Sequence, residues 1–310
     1  MKSAFILILS FFAMQFCFGQ HPFYSKAYGD STNRAVIFLH GGPGYNAVSF
    51  EFSTAQKLAG LGFYVIVYDQ RGCGRTRADT GSRFTFQEAF DDLNGIYKKY
   101  NITTATLIGH SFGGTLGILY SKTFPGKISS LVLVSSPLSY QQMFRTIISK
   151  CRKTFSESKS QQLQYIEALE KIDTASLEYS SYCFLYAMSG GFYKTKNPTR
   201  ESQEINDSLK KCANVSLLSN MTQKPVNGFY KNEHYTTLDL SAALAEVSKN
   251  TRVYGIYGQE DGLFDEQHLA KLKSAIGEDN FTLVKGSSHN VFIDQQAIFL
   301  DLVRKVAGKK

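Results

Sequence analysis

Ala105-Thr-Leu-Ile108, Gly109-His110-Ser111-Phe112-Gly113 and Gly114-Thr-Leu-Gly-Ile-Leu-Tyr120 follow one another without a break. A short apolar run of β-branched character reads as a buried strand, and the apolar stretch from Gly113 to Thr123 reads as a helix. Between them lies a serine flanked by small residues, the strand-turn-helix context that a nucleophile elbow requires. A turn that tight has no room for side chains beside the serine, so Gly109 and Gly113 are needed sterically. The Ser111 hydroxyl is thereby pushed clear of the sheet, and the helix N-terminus beneath it favours developing negative charge.

The same alternation extends in both directions. Strands are expected at Ala35–Leu39, Phe63–Tyr68 and Ile128–Val134, with helices over Thr54–Leu61 and Phe86–Tyr100, the latter apolar at Phe86, Ala89, Phe90, Leu93, Ile96 and Tyr97. After about a hundred residues it resumes with strand Val253–Tyr257, helix Glu266–Ile276, strand Phe281–Val284 and a closing helix over Gln295–Val306. Such a rhythm predicts an α/β fold with a mostly parallel, doubly wound sheet. The intervening stretch is rich in Ser, Lys, Gln and Tyr and poor in β-branched runs, and is expected to form an inserted, mainly helical cap. The organisation expected is a signal peptide at 1–19, a core at 20–137 and 239–310, and the cap at 138–238.

The signal peptide is read from Lys2 followed by Ala4 to Phe18, apolar except for Ser10 and Gln15 and too short for a comfortable membrane span. Cleavage is expected before Gln20, giving a periplasmic or extracellular protein with no stable membrane insertion. With a net charge of +8 spread along the chain and no basic stripe interleaved with aromatics, nucleic acid is not an expected partner. Four cysteines remain after cleavage: Cys73, Cys151, Cys183 and Cys212. Export permits a bridge among the last three, and four buried thiols are the alternative. No cysteine spacing suggests zinc, and the sequence leaves the oligomeric state open.

A serine nucleophile needs a base C-terminal to it if the order is nucleophile, acid, histidine. His289 follows the Phe281–Val284 strand through a loop able to return over the sheet edge. His268, inside an expected helix, and His234, inside the cap, read more simply as packing or surface residues. The acid belongs after the preceding strand, where Gly258-Gln-Glu-Asp-Gly262 places Asp261, with Glu260 and Asp265 as rivals and a helix N-terminal charge as the simpler role for Asp265. His40-Gly-Gly-Pro-Gly44 closes the first long strand. The amide of Gly42 together with that of Phe112 is the expected oxyanion hole, each donor worth on the order of 3 kcal/mol in the transition state. Asp69, Arg71 and Arg75 are expected to brace their turn by ion pairing, with Cys73 able to line a pocket.

Taken together, His40-Gly-Gly-Pro-Gly44, Asp69-Gln-Arg-Gly-Cys-Gly-Arg-Thr76 and Gly109-His-Ser-Phe-Gly-Gly114 resemble the α/β-hydrolase superfamily and, within it, the proline iminopeptidase family. The resemblance is close from Ala35 to about Pro137 and looser from Arg252 onward, where it places the acid at Asp261 and the base at His289. It implies release of an N-terminal residue, preferably proline, without metal or cofactor, the free amino terminus being held by cap carboxylates. The segment corresponding to the family's Glu-x-His-Tyr is Asn232-Glu233-His234-Tyr235, with Asn232 where the family has Glu, so Glu178, Glu204 and Glu233 are the candidates to bind substrate instead, a solvated cap residue being the simpler role for each. The expected substrate is a small peptide, or alternatively an ester or amide hydrolysed by the same three residues; a non-catalytic binding protein of the same fold is a third, more remote reading.

Overall fold

A computed structural model describes residues 23–157 and 161–308, so the expected signal peptide lies outside the described residues. The elements run β1 (Ser25–Tyr28), β2 (Arg34–Leu39), α1 (Val48–Phe50), a π-helical turn (Glu51–Ala55), α2 (Gln56–Gly60), β3 (Phe63–Tyr68), α3 (Phe86–Lys99), β4 (Ala105–His110), α4 (Phe112–Thr123) and β5 (Ile128–Val134). Helices α5 (Tyr140–Glu157), α6 (Gln162–Leu169), α7 (Leu177–Ser189), α8 (Arg200–Leu209), α9 (Val215–Leu218) and α10 (Gln223–Glu233) follow. The chain closes with α11 (Ser241–Asn250), β6 (Val253–Gly258), α12 (Glu266–Ile276), β7 (Phe281–Val284), α13 (Val291–Asp294) and α14 (Gln296–Ala307).

The sheet order is β1-β3-β2-β4-β5-β6-β7. Strands β2 to β7 are mutually parallel and β1 runs antiparallel along β3. Side chains alternate across the sheet, and both faces are buried, as a parallel sheet covered by helices requires. Ile37, Leu39, Ile66, Tyr68, Leu107, Leu131 and Leu133 enter one core with α3, α4 and α12. Val36, Phe38, Val65, Val67, Ile108, Val132 and Val134 enter the other, where Phe38 stacks on Phe50 at 3.7 Å and α14 contributes Phe299 and Val303. This is the expected doubly wound α/β fold.

Local signals place the helices. Thr85 and Glu88 form a reciprocal capping box that starts α3, stabilising the end by about 1 kcal/mol. Five elements lie outside the sequence expectation: β1, α1, the π-helical turn ahead of α2, α11 and α13. Strand β1 is four residues long with no fully buried position, so it carries no apolar alternation to read.

Helices α5 to α10 leave and re-enter the core through one narrow neck. Ser139 and Asp239 form an isolated antiparallel bridge, with Tyr140 N–H on Leu238 O at 3.1 Å and Leu240 N–H on Leu138 O at 2.7 Å. No helix among the described residues is long and apolar enough to cross a membrane. The cysteines correct the sequence reading of a bridge: all four are free thiols, Cys212 half-buried and the others buried. Cys151 and Cys183 sit in apolar packing, where burial pushes their thiols up to about 11 and about 12 and suppresses the thiolate that disulfide exchange needs.

Candidate active site

Ser111 joins β4 to α4 with φ 53° and ψ −124°, a positive-φ conformation that costs a non-glycine residue about 1–3 kcal/mol. The neighbours hold it there. Its N–H donates to Val134 O at 3.0 Å, and its carbonyl accepts from Gly114 N–H and from Ser136 Oγ, both at 2.9 Å. A Cβ on Gly109 would sit 2.6 Å from Gly114 Cα, and one on Gly113 would sit 2.0 Å from Leu39 O. The steric need for both glycines is therefore real, and Gly114 shares it, since its Cβ would meet Ser136 Oγ at 2.0 Å.

His289 and Asp261 come together from the ends of β7 and β6. Both are buried, at 4% and 5% exposure, and His289 Nδ1–H donates to Asp261 Oδ2 at 2.8 Å. The other carboxylate oxygen accepts Leu263 N–H at 3.1 Å, which fixes the plane of the acid. That donor assignment leaves His289 Nε2 as the free ring nitrogen. The rivals are occupied elsewhere: Glu260 accepts from Thr195 Oγ1 and Lys196 N–H, and Asp265 caps α12 at His268 N–H and takes the Thr146 hydroxyl. His268 is buried against Phe264 and accepts Leu138 N–H, while burial brings its pKa down to about 4. His234 ends α10 in a left-handed conformation on the surface.

The glycine loop after β2 lies against the serine. A Cβ on Gly41 would approach Ser111 Cβ to 2.9 Å and Oγ to 3.4 Å, so only glycine permits that contact. Gly42 follows at φ 131°. His40 shapes the loop from below: Nδ1–H donates to Gly41 O at 2.8 Å, Nε2 accepts Gln70 N–H at 2.9 Å, and the Gln70 amide returns to His40 O at 2.8 Å. Burial lowers the His40 pKa, which keeps the acceptor nitrogen unprotonated.

The turn after β3 is braced by ion pairs, as expected. Arg75 Nε meets Asp69 Oδ2 at 2.6 Å and Nη1 meets Glu51 at 2.8 Å, with its guanidinium 3.4 Å from the Tyr24 ring centroid. Asp69 also accepts Ala47 N–H at 2.8 Å at the start of α1. Arg71 pairs with Asp92 and Asp79. Cys73 is buried and lines a narrow cavity with Gly44, Phe84 and Phe229.

The helical insertion docks on each of these loops. Tyr45 Oη and Asn46 Nδ2 donate to the carbonyls of Leu218 and Leu217, and Thr222 N–H donates to Gly44 O. Lys150 Nζ donates to the carbonyls of Gly262 and Phe264 at 3.0 and 2.8 Å, directly behind Asp261. Burial holds that ammonium below the usual lysine range. Tyr193 stands edge-on to the His289 ring at 4.9 Å, and Ser288 Oγ donates to Phe192 O at 2.9 Å.

The three cap carboxylates are placed differently. Glu178 is exposed in the first turn of α7, and Glu204 is exposed and paired with Arg200 within α8. Glu233 Oε1 accepts Phe86 N–H at 2.7 Å, serving the start of α3, while Asn232 donates to Arg83 O. Sequence reasoning missed Lys150, Tyr193 and His110, the first two because nothing local marks a cap residue that reaches a distant loop. His110 had a signal, its place beside the nucleophile.

A serine on a strained strand-to-helix elbow lies on the same end of the sheet as a buried His–Asp pair that follows two later parallel strands, the arrangement of an α/β hydrolase. Residues 34–296 match the alpha/beta hydrolase fold family, and the chain belongs to it. Within that family it is similar to a proline iminopeptidase of Lactobacillus delbrueckii subsp. lactis, 26% identical over 176 residues, or 54% of this chain and 58% of that one. The chain thus spans a little over half the length of that curated relative. Two solved structures share the fold along nearly the whole chain. The proline iminopeptidase-related protein of Thermus thermophilus has TM-score 0.70 and 18% identity, with 94% of each chain covered. The proline iminopeptidase of Mycobacterium smegmatis has TM-score 0.68 and 21% identity, with 94% of this chain and 96% of that one covered.

Proposed function

We propose that this chain is an exported serine hydrolase in which Ser111, His289 and Asp261 form the triad and the amides of Gly42 and Phe112 form the oxyanion hole. The observation that carries the proposal is the buried His289–Asp261 hydrogen bond of 2.8 Å on the same sheet edge as the Ser111 elbow. Ser111 Oγ attacks a substrate carbonyl while His289 Nε2 takes its proton. Asp261 holds the imidazole in the Nδ1–H tautomer and stabilises the imidazolium that forms. The carbonyl oxygen, now anionic, receives the two amides; collapse expels the leaving group with the proton from His289, and water repeats the cycle on the acyl-enzyme.

Similarity to proline iminopeptidases makes N-terminal prolyl peptides the first substrates to test, with residues 138–238 acting as the cap. A second reading, an ester or amide hydrolase with an uncharged acyl group, is favoured by the placement of the carboxylates: Glu178 and Glu204 face solvent and Glu233 is spent on the Phe86 amide. Purified protein is assayed with proline arylamide and with short p-nitrophenyl esters. Turnover of the arylamide alone supports the peptidase, and turnover of esters alone supports the second reading. Failure of a fluorophosphonate to label Ser111 in folded protein would sink both. Export is tested by sequencing the mature N-terminus, expected at Gln20.

A further inference from the structure

His110, the residue before the nucleophile, takes no part in the chemistry just described, yet it spans the gap between the nucleophile and the base. Ser111 leaves β4 and His289 follows β7, with β5 and β6 between them in the sheet. At about 4.8 Å per strand, their strand axes lie roughly 14 Å apart, so the loop carrying the base must reach back over two strands. Asp261 sets the orientation of the His289 ring but follows β6, itself two strands from β4.

The His110 side chain closes that gap. It is 6% exposed, and its Nε2 lies 3.1 Å from the backbone carbonyl of His289. The two imidazole centroids are 4.9 Å apart, and Phe292 packs edge-on against His110 at 5.3 Å. A carbonyl only accepts, so His110 Nε2 carries the proton. Burial and the neighbouring His289 and His40 rings hold the His110 pKa well below the usual histidine value, so it stays neutral while His289 works.

Building on the triad reading, we propose that His110 is a positioning residue whose Nε2–H ties the nucleophile elbow directly to the backbone of the general base. The tie sets the separation of Ser111 and His289 independently of the Asp261 contact. Small errors in that separation are costly, since a misplacement of about 1 Å can lower a rate by about 100-fold.

The experiment compares His110→Gln, which keeps an N–H donor, with His110→Met, of similar length and without one. The readout is the second-order rate of fluorophosphonate labelling at Ser111, alongside the melting temperature. The expected result is labelling slowed about 10- to 100-fold in the Met variant and largely rescued in the Gln variant, with similar melting temperatures for the two. Equal rates in both variants, or a wild-type rate in the Met variant, would overturn the proposal. Should neither variant fold, nitrogen chemical shifts of the wild-type histidines decide: a neutral Nε2–H tautomer at His110 supports the tie, and an Nδ1–H tautomer rules it out. Wild-type protein that labels while the two variants label alike refutes the tie alone, whereas wild-type protein that does not label refutes the triad itself.

Discussion

The turn after β3 and the helical insertion both hold loops of the candidate site in place, but with different chemistry. The turn uses charge: Asp69 is fully buried and bound to Arg75, which is bound in turn to Glu51, with the Ala47 amide on Asp69 and the Tyr24 and Tyr28 hydroxyls on Glu51 completing the network. The insertion mostly uses single hydrogen bonds to backbone carbonyls, from Tyr45 and Asn46 to Leu218 and Leu217 and from Lys150 to Gly262 and Phe264. A buried charge network fails as a unit when one member is lost, whereas isolated hydrogen bonds to carbonyls fail singly and cheaply. The core is therefore the intolerant half of the site and the insertion the adjustable one.

The comparison is tested most severely at the nucleophile. Ser111→Ala should lower turnover by a factor on the order of 10⁴ or more while leaving thermal stability intact or slightly raised, checked by steady-state assay and calorimetry. Next in size, Asp69→Ala removes the buried acceptor of the Arg75 guanidinium and of the Ala47 and Arg75 amides and should cost about 3–5 kcal/mol of folding stability, measured by urea unfolding. A loss below about 1 kcal/mol there would erase the distinction between the two regions.

Asp294 supplies a pH-dependent version of the same test. It is buried, accepts Ser288 N–H beside His289, and burial raises its pKa to about 6. A carboxylate with a folded pKa above its unfolded one adds stability that is fully present below about pH 4 and lost as the pH rises through about 6. Asp294→Asn should therefore raise the melting temperature at about pH 7.5, by no more than the equivalent of about 3 kcal/mol, and confer no gain at about pH 4.

On the insertion side the effects should be smaller. Lys150→Met is expected to lower kcat/KM about tenfold, or about 1.4 kcal/mol, by loosening the Asp261 loop. Glu204→Ala, in an exposed pair with Arg200, should change stability by less than about 0.5 kcal/mol. An effect on kcat/KM from Glu204→Ala would instead restore a substrate role to that carboxylate.

Much of the core was legible because its residues are chosen by constraints that act locally. Gly109 and Gly113 are dictated by the elbow, Phe90, Leu93, Ile96 and Tyr97 by the buried face of a helix, and the Val36/Ile37 pair by a sheet buried on both faces. Asp261 and His289 were reached by chain order, and their hydrogen bond agrees with that pairing. What stayed hidden depends on contacts distant in sequence. Lys150 looks like any helix lysine until α5 brings it over the acid loop, and Tyr193 like any loop tyrosine until it meets His289. Strand β1 escaped because it is held by pairing with β3 and not by its own pattern.

The bridge between Ser139 and Asp239 has a consequence for how such a chain diversifies. An antiparallel bridge holds the two backbone ends about 5 Å apart whatever lies between them, so the sheet senses only the stem. The entropic cost of closing the intervening segment grows only logarithmically with its length. Everything from Tyr140 to Leu238 is, in that sense, a cassette: its length can drift away from the residues that touch the site loops, while the register of the strands that precede Ser111, Asp261 and His289 is left undisturbed.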